Sequence, residues 1–207
     1  MLKLFYAPGS CALASHIALE EAGAEYTGHS VDTMGGEQSK QEYLAINPKG
    51  RVPALATDRG VLTENPAILT YVAQSFPKAR LAPFDDAWAF AQVQSFNAYL
   101  CATVHVAHAH RMRGYRWADE QSSFDDMKRK VPKTVGACFE LIEREMFKGP
   151  WVMGKAYSIC DPYLFTLTEW MEADGLDPKR FPKVFDHHTR MYERPAVKRA
   201  LAQEGRG

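Results

Sequence analysis

The sequence has no excess of charge of either sign. Its 207 residues include 25 lysines and arginines and 25 aspartates and glutamates, so the formal net charge is zero. A neutral chain has no general attraction to nucleic acid or to an anionic membrane surface. We therefore expect neither a nucleic-acid partner nor a membrane partner.

Long apolar runs and paired cysteines are also missing. No apolar run approaches the roughly 18 residues of a membrane-spanning helix, and the apolar residues ahead of Cys11 are too few for a signal peptide. The cysteines at 11, 101, 138 and 160 form no Cys-x-x-Cys pair, which argues against a zinc site or a dithiol redox motif. Such spacing fits reduced thiols. We expect a cytoplasmic protein without a metal.

Residues 1 to 77 alternate between strand and helix patterns. Period-two patterns predict strands at residues 2 to 6, 25 to 32, 54 to 57 and 61 to 63. Helical spacing predicts one helix from Cys11 to Gly23, a short helix from 41 to 46, and a third, with Asn65 as its N-cap, that Pro77 ends. The order β-α-β-α-β-β-α favours a small α/β domain.

The rest of the chain shows only helical patterns. Residues 78 to 84 read as a linker. Apolar stripes predict helices from residue 88 to about 110 and from 124 to 146, and Pro132 should kink or break the second one. Ser158 and Asp161 form an acidic capping box ahead of another helix, and two final helices, 181 to 194 and 196 to 203, flank Pro195. We predict an all-helical second domain at residues 85 to 207.

The segment from Asn47 to Leu55 contains a Val52–Pro53 bond at the start of a predicted strand. Proline is tolerated there because the first residue of a strand need not donate to the ladder. The cis form is more accessible to an X-Pro bond than to others. A cis bond would turn the backbone of Val52 outward as a docking edge for a peptide-like ligand. A structural loop is the alternative, and this segment alone favours it.

Cys11 is the first candidate for chemistry, because it stands at the start of a predicted helix. The positive potential of a helix N-terminus can lower the pKa of a thiol. Cys11 would then act as a nucleophile, or as a donor to a bound thiolate, with the Ser10 hydroxyl beside it as a second donor. A buried structural cysteine is the alternative.

Glu64 and Asn65 open a helix directly after a strand, at a place where backbone N–H groups readily bind carboxylates. With Glu64 holding an ammonium group beside that carboxylate, the pair would recognise an α-amino acid end. The alternative is a plain N-cap with a solvated Glu64, and these two residues considered alone favour that alternative.

Histidines and arginines cluster near residue 110. His105 and His108 share a helix face, so a metal pair is conceivable, but a polar face beside a cleft is the preferred interpretation, because no acidic or thiol partner stands nearby in the sequence. Arg111, Arg113 and Arg116 form either an anion-binding rim or a solvated helix end, and we favour the second.

Five segments together resemble a bacterial glutathione transferase, most closely the beta class. The resemblance spans nearly the whole chain. Its carriers are residues 8 to 11, 47 to 53, 62 to 64, 158 to 167 and 194 to 201. It implies a thioredoxin-like N-terminal domain, an all-α C-terminal domain, a homodimer, and glutathione as co-substrate.

The resemblance also implies roles for individual residues. Cys11, Ser10 and His105 would be catalytic, with Cys11 facing the glutathione sulfur. Glutathione itself would bind at Cys11, Val52, Pro53, Glu64, Asn65 and His105. A second-substrate site in the cleft between the domains would be lined by Tyr99, Val104, His108, Met112 and Tyr115.

Three functions are compatible with these residues. The first is transfer of glutathione to small hydrophobic electrophiles, as in detoxification. The second uses Cys11 as a redox nucleophile that forms a mixed disulfide with glutathione and reduces disulfides or peroxides. The third is a non-catalytic binding protein of the same fold. It is considered because the sequence departs from the family pattern at several positions, including Asn65-Pro66 after Glu64, and Thr103 and Val106 around His105.

Overall fold

A four-stranded mixed sheet forms the first part of the computed structural model, which describes residues 1–206. The strands are β1 (Leu2–Tyr6), β2 (Tyr26–Ser30), β3 (Ala54–Thr57) and β4 (Gly60–Thr63). They lie in the order β2-β1-β3-β4, with β2 parallel to β1 and the other pairs antiparallel. The predicted strand pattern and hairpin are confirmed.

Three helices accompany this sheet: α1 (Ala12–Ala22), α2 (Gln41–Leu44) and α3 (Asn65–Ser75). α1 ends at Gly23, whose φ of 63° is the left-handed conformation that glycine adopts at low cost. Eight consecutive residues of α1 are buried, because this helix packs against α3 on one side and against the helical part of the chain on the other. The predicted order of elements is therefore confirmed, and the predicted ends agree with the structure to within two residues.

Six further α-helices follow within the described residues. They are α4 (Ala87–Tyr99), α5 (His105–Ala109), α6 (Gln121–Leu141), α7 (Cys160–Thr168), α8 (Pro182–Glu193) and α9 (Pro195–Gln203). A π-helical turn, Leu100–Val104, joins α4 to α5, so the long helix predicted up to about residue 110 is present. Within residues 1–206, every helix is too short or too polar to cross a membrane.

Two expectations about proline need correction. Pro132 does not break its helix, since α6 runs through it from Gln121 to Leu141, and a kink there stays a prediction. Pro195 does not separate the last helices as an outside residue but is the first residue of α9, where a missing N–H costs nothing.

The segment predicted as a linker is packed against the core. Leu81 is 3% exposed, and its carbonyl accepts a hydrogen bond from the Ile159 N–H at 2.9 Å. One hydrophobic cluster, which includes Leu4, Leu69 and Phe96, runs through both parts of the chain. The domain boundaries at residues 77 and 85 stay predictions.

The Ser158–Asp161 capping box is present and buried. The Asp161 carboxylate accepts from the Ser158 N–H at 2.7 Å and from the Val152 N–H at 2.8 Å. His187 Nε2 lies 3.0 Å from the same carboxylate. Pro162 is compatible with this box because it lies in the first turn of α7, where no intrahelical acceptor awaits its N–H.

We expect Asp161→Asn to reduce the free energy of unfolding by about 3 kcal/mol. The new NH₂ group would replace one of the two acceptor oxygens and would then face the N–H of Ser158 or of Val152, so that two hydrogen-bond donors oppose each other. Urea denaturation measures the loss. Asp126→Asn on the exposed face of α6 is the control, with an expected change below about 1 kcal/mol. Equal stability of the two variants would contradict the structural role of Asp161.

Candidate functional site

A cleft of about 500 Å³ lies between the sheet part and the helical part of the molecule. From the sheet part it is lined by the loop after β1, the segment before β3 and the start of α3. From the helical part it is lined by the π turn, α5, the segment that follows α5, and α7 with its C-terminal extension. The predicted site residues that line the cleft are Ser10, Cys11, Val52, Pro53, Glu64, Asn65, His105, His108 and Met112.

The loop after β1 is held at Gly9 by side chains from distant parts of the chain. The Gly9 N–H donates to Glu204 Oε2 at 3.1 Å, and the Gly9 carbonyl accepts from Trp170 Nε1 at 3.0 Å. Glu204 is 5% exposed, and its other oxygen lies 3.1 Å from His16 Nδ1. Gly9 has a φ of 72°, so only glycine adopts this loop conformation without strain.

Cys11 directly precedes α1 and carries a protonated thiol. Partial burial raises the pKa of Cys11 to about 12, and Sγ donates to the Val52 carbonyl at 3.4 Å. The expectation of a lowered pKa is therefore wrong, because loss of water around the thiol outweighs the helix N-terminus. A thiol in this state can donate a hydrogen bond to an anion.

Ser10 lies in the same turn and helps to begin α1. Its Oγ accepts from the Ala12 N–H at 3.2 Å, and its carbonyl accepts from the Leu13 N–H at 3.2 Å. The hydroxyl therefore serves as a local cap. A catalytic role for Ser10 stays a prediction.

The segment before β3 presents the backbone of Val52 to the cleft. The Val52–Pro53 bond is cis, the form that the sequence left open. Tyr43 and Asn47 fix this segment by donating to the Arg51 carbonyl at 2.7 and 2.6 Å. Within residues 1–206 the Val52 N–H has no hydrogen-bond partner, so it is available to an extended, peptide-like ligand.

Glu64, and not Asn65, is the N-cap residue of α3. Its φ of 72° is unusual for a residue with a side chain and costs about 1–3 kcal/mol. The carboxylate accepts from Lys49 Nζ at 2.6 Å, and its carbonyl accepts from the Ile68 N–H at 3.0 Å. The prediction of Asn65 as N-cap was wrong because this backbone conformation places the cap one residue earlier.

The side chain of Asn65 points into the protein. It is 3% exposed, donates to the Cys11 carbonyl at 2.7 Å, and accepts from Ser15 Oγ at 2.6 Å. Asn65 thereby ties α3 to the start of α1. Only its backbone N–H, at the first turn of α3, is placed to meet a ligand.

Two histidines of α5 face Trp170. The His105 ring lies 5.3 Å from the Trp170 ring, and the His108 ring stacks on it at 4.2 Å. Burial, together with nearby positive groups, lowers the pKa of His105 to about 4, so this imidazole is neutral at neutral pH. His108 Nδ1 is bonded to Asp174 Oδ2 at 2.6 Å. The two histidines thus lie beside the cleft.

The predicted second-substrate residues are only partly brought together. His108 and Met112 line the cleft. Val104 does not, because it is 1% exposed and belongs to the core. Tyr99 packs against that core outside the cleft, and Tyr115 is exposed beyond the lining residues. Which side chains of these helices face the cleft depends on tertiary packing, which the helical period alone does not give.

Sequence reasoning missed several residues of the cleft. They are Arg51, Cys101, Arg113, Arg116, Trp117, Tyr163 and Trp170. For Trp170 no local signal exists, because its partner Gly9 is 161 positions away. The arginines carried a visible signal, their spacing, but the sequence favoured a solvated helix end.

We expect Cys11 to react slowly with iodoacetamide at neutral pH, because only the thiolate attacks. The rate constant at Cys11, followed by peptide mass spectrometry, should rise about tenfold per pH unit from about pH 6 to about pH 10 without a plateau. The urea-unfolded chain is the control, and its rate should level off above its pKa of about 8.5. A plateau below about pH 8 in the folded protein would show a thiolate and contradict the structure.

Two family models match the sequence. Residues 1–74 match the glutathione S-transferase N-terminal domain, and residues 108–204 match the glutathione S-transferase C-terminal domain. The chain is 34% identical to glutathione S-transferase GstA of Escherichia coli O157:H7, over 99% of both chains. It is 26% identical to the disulfide-bond oxidoreductase YfcG of Escherichia coli, over 97% of this chain and 94% of that one.

Solved structures show the same similarity. A glutathione transferase homolog from Sulfitobacter with bound glutathione is 46% identical, covers 100% of this chain and 99% of its own, and superposes with a TM-score of 0.96. The beta class glutathione S-transferase of Sphingomonas chungbukensis is 33% identical over 99% of this chain and 100% of its own, with a TM-score of 0.87. The chain therefore belongs to the glutathione S-transferase family and is similar to its bacterial beta class.

Proposed function

We propose that this protein transfers the thiolate of glutathione to small hydrophobic electrophiles. The observation that carries the proposal is the free Val52 N–H, which lies in one cleft with the Cys11 thiol and the Glu64 carboxylate. A tripeptide with a charged amino-acid end, a middle amide and a thiol matches these three features. The transferase activity follows from the family, and the placement of the ligand is our inference.

The γ-glutamyl end of glutathione would bind where β4 meets α3. Its ammonium group would pair with Glu64, and its carboxylate would meet Lys49 and the Asn65 N–H. Lys49 and Glu64 are already 2.6 Å apart, so the charged end of a zwitterion can insert beside them with each charge facing its opposite. The cysteinyl backbone would pair with Val52.

Cys11 would assist as a hydrogen-bond donor. The thiol can turn from the Val52 carbonyl to the sulfur of glutathione, which it stabilises in the thiolate form. The glutathione thiol loses its proton to bulk water, the thiolate attacks the electrophilic carbon, the new C–S bond forms, and the leaving group departs with its electron pair. His105, neutral in this setting, lies on the opposite wall of the cleft and is the candidate that borders the reacting atoms from the helical side.

The second candidate is a Cys11-dependent disulfide reductase. The similarity to the disulfide-bond oxidoreductase of Escherichia coli and the presence of Cys11 and Cys101 in the same cleft favour it. The raised pKa of Cys11, which burial causes, disfavours it, because a mixed disulfide requires attack by the Cys11 thiolate. We also propose a homodimer in the cytoplasm, as the family resemblance implies.

Calorimetric titration with reduced glutathione tests the binding site. We expect the native protein to bind with a Kd in the micromolar to low millimolar range. Glu64→Gln should raise that Kd about tenfold or more, because it removes the charge that faces the ligand ammonium. Glu25→Gln, an exposed acid ahead of β2, is the matched control and should bind as the native protein does. No binding by the native protein would exclude both glutathione-dependent functions.

Two Cys11 variants separate the candidate functions. If Cys11 only donates a hydrogen bond, Cys11→Ser should retain conjugation of chlorodinitrobenzene within about threefold, and Cys11→Ala should lose about five- to tenfold in kcat/KM. Reduction of hydroxyethyl disulfide, measured in parallel, should be weak in all three proteins. The glutathione Kd of each variant controls for the integrity of the site. A disulfide reduction that is fast in the native protein and abolished in both variants would instead support the redox function.

A further inference from the structure

Four arginines line the cleft, against a single acidic residue. Arg51 comes from the segment before β3, and Arg111, Arg113 and Arg116 follow α5. Among the described lining residues the only acid is Glu64, which is already paired with Lys49 at 2.6 Å. Because the whole chain is neutral, this imbalance is a local property of the cleft.

One of these arginines is neutralised by the protein itself. Arg111 Nε lies 3.2 Å from Asp174 Oδ1, a carboxylate that is 1% exposed. The other carboxylate oxygen of Asp174, Oδ2, is hydrogen-bonded to His108 Nδ1 at 2.6 Å. The remaining three, Arg51, Arg113 and Arg116, form no ion pair with a carboxylate within residues 1–206.

These three guanidinium groups are close enough to influence one another. Burial and the positive charges of Arg113 and Arg51 lower the pKa of Arg116. The same three charges act on His105, behind the larger effect of its burial. All three side chains are exposed, so solvent screens much of their repulsion, but an anion that binds among them would be attracted by more than one positive charge.

Glutathione accounts for only one of these charges under the function proposed above, on which this step rests. Its amino-acid end would face Lys49 and Glu64. Its glycine carboxylate would extend from Val52 toward Arg51, the preceding residue in the chain. Arg113 and Arg116 lie on the helical wall, in the same stretch as Met112 and Trp117, which offer the apolar surface of a second substrate.

We propose that Arg113 and Arg116 form an anion subsite for the second substrate, so the preferred electrophile is an apolar molecule that carries a carboxylate or sulfonate. A guanidinium group binds such an oxyanion through two parallel hydrogen bonds. The anion is bound but not consumed. The thiolate of glutathione attacks the electrophilic carbon, and the leaving group departs from that carbon with its electron pair.

A matched pair of electrophiles tests this subsite. Chlorodinitrobenzene and chlorodinitrobenzoate react with glutathione by the same displacement of chloride and differ in one carboxylate. With each rate divided by the uncatalysed rate, we expect the benzoate to show the higher kcat/KM. Replacement of both arginines by glutamine should lower kcat/KM for the benzoate about 20-fold and for the neutral compound at most about twofold.

Three controls make the result specific. Arg129→Gln removes an equal charge from an exposed position on α6 and should leave both electrophiles unaffected. The double variant with lysine retains the charge and should recover part of the benzoate activity. The glutathione Kd of the double glutamine variant should stay within about twofold of the native value.

The other outcomes overturn the proposal. A glutathione Kd that rises as much as the benzoate rate falls would assign the arginines to glutathione. An equal loss with both electrophiles would assign them to stabilisation of the thiolate, and no loss with either would leave a solvated helix end. If the native protein conjugates neither compound, the proposed function fails, but the anion subsite can still be tested by itself. Chlorodinitrobenzoate alone should then quench the tryptophan fluorescence of the native protein more strongly than that of the double glutamine variant, and equal quenching would show that the subsite does not exist.

Discussion

The clamp on the Gly9 peptide is the constraint on which the active cleft depends. Glu204 from the C-terminal end holds its N–H, and Trp170 holds its carbonyl. Two residues later the chain reaches Cys11, so the position of the thiol is set by the helical part of the molecule as well as by the sheet. The buried contact between Glu204 and His16 extends this clamp to the middle of α1. The loop after β1 in the thioredoxin-like part is therefore positioned in part by contacts from the helical part of the chain.

The same packing determines the chemistry of Cys11, and magnitudes show why. A helix N-terminus is worth about 0.3–1 kcal/mol, which is less than one pKa unit. Removal of a charged group from water can shift a pKa by roughly 3–5 units. Desolvation wins here, and the thiol stays protonated with the Val52 carbonyl as its acceptor. A donor thiol fits a protein that stabilises the thiolate of its substrate.

The fold could be predicted because its signals are local. Alternation in β1, Gly23 after α1 and the capping box ahead of α7 each depend on neighbouring residues, and all are present in the structure. The site could be predicted only where a motif carried it. The Asn65 side chain points inward because it forms hydrogen bonds with Ser15 and Cys11. These partners are about 50 positions away in the sequence, and no periodicity encodes such a contact.

Net charge concealed the polarity of the cleft. Glu64, which lines the cleft, forms with Lys49 a pair that can accept both charges of an amino acid, whereas Arg51, Arg113 and Arg116 lack acidic partners among the described residues. The Cys11 thiol and the His105 imidazole line the same cleft and are neutral. A ligand with a zwitterionic end and an anionic end can bind such a cleft in only one direction without placing like charges together. Under the proposed function this charge distribution would orient glutathione, and the neutral Cys11 and His105 would leave the developing thiolate as the one charge at the reacting centre.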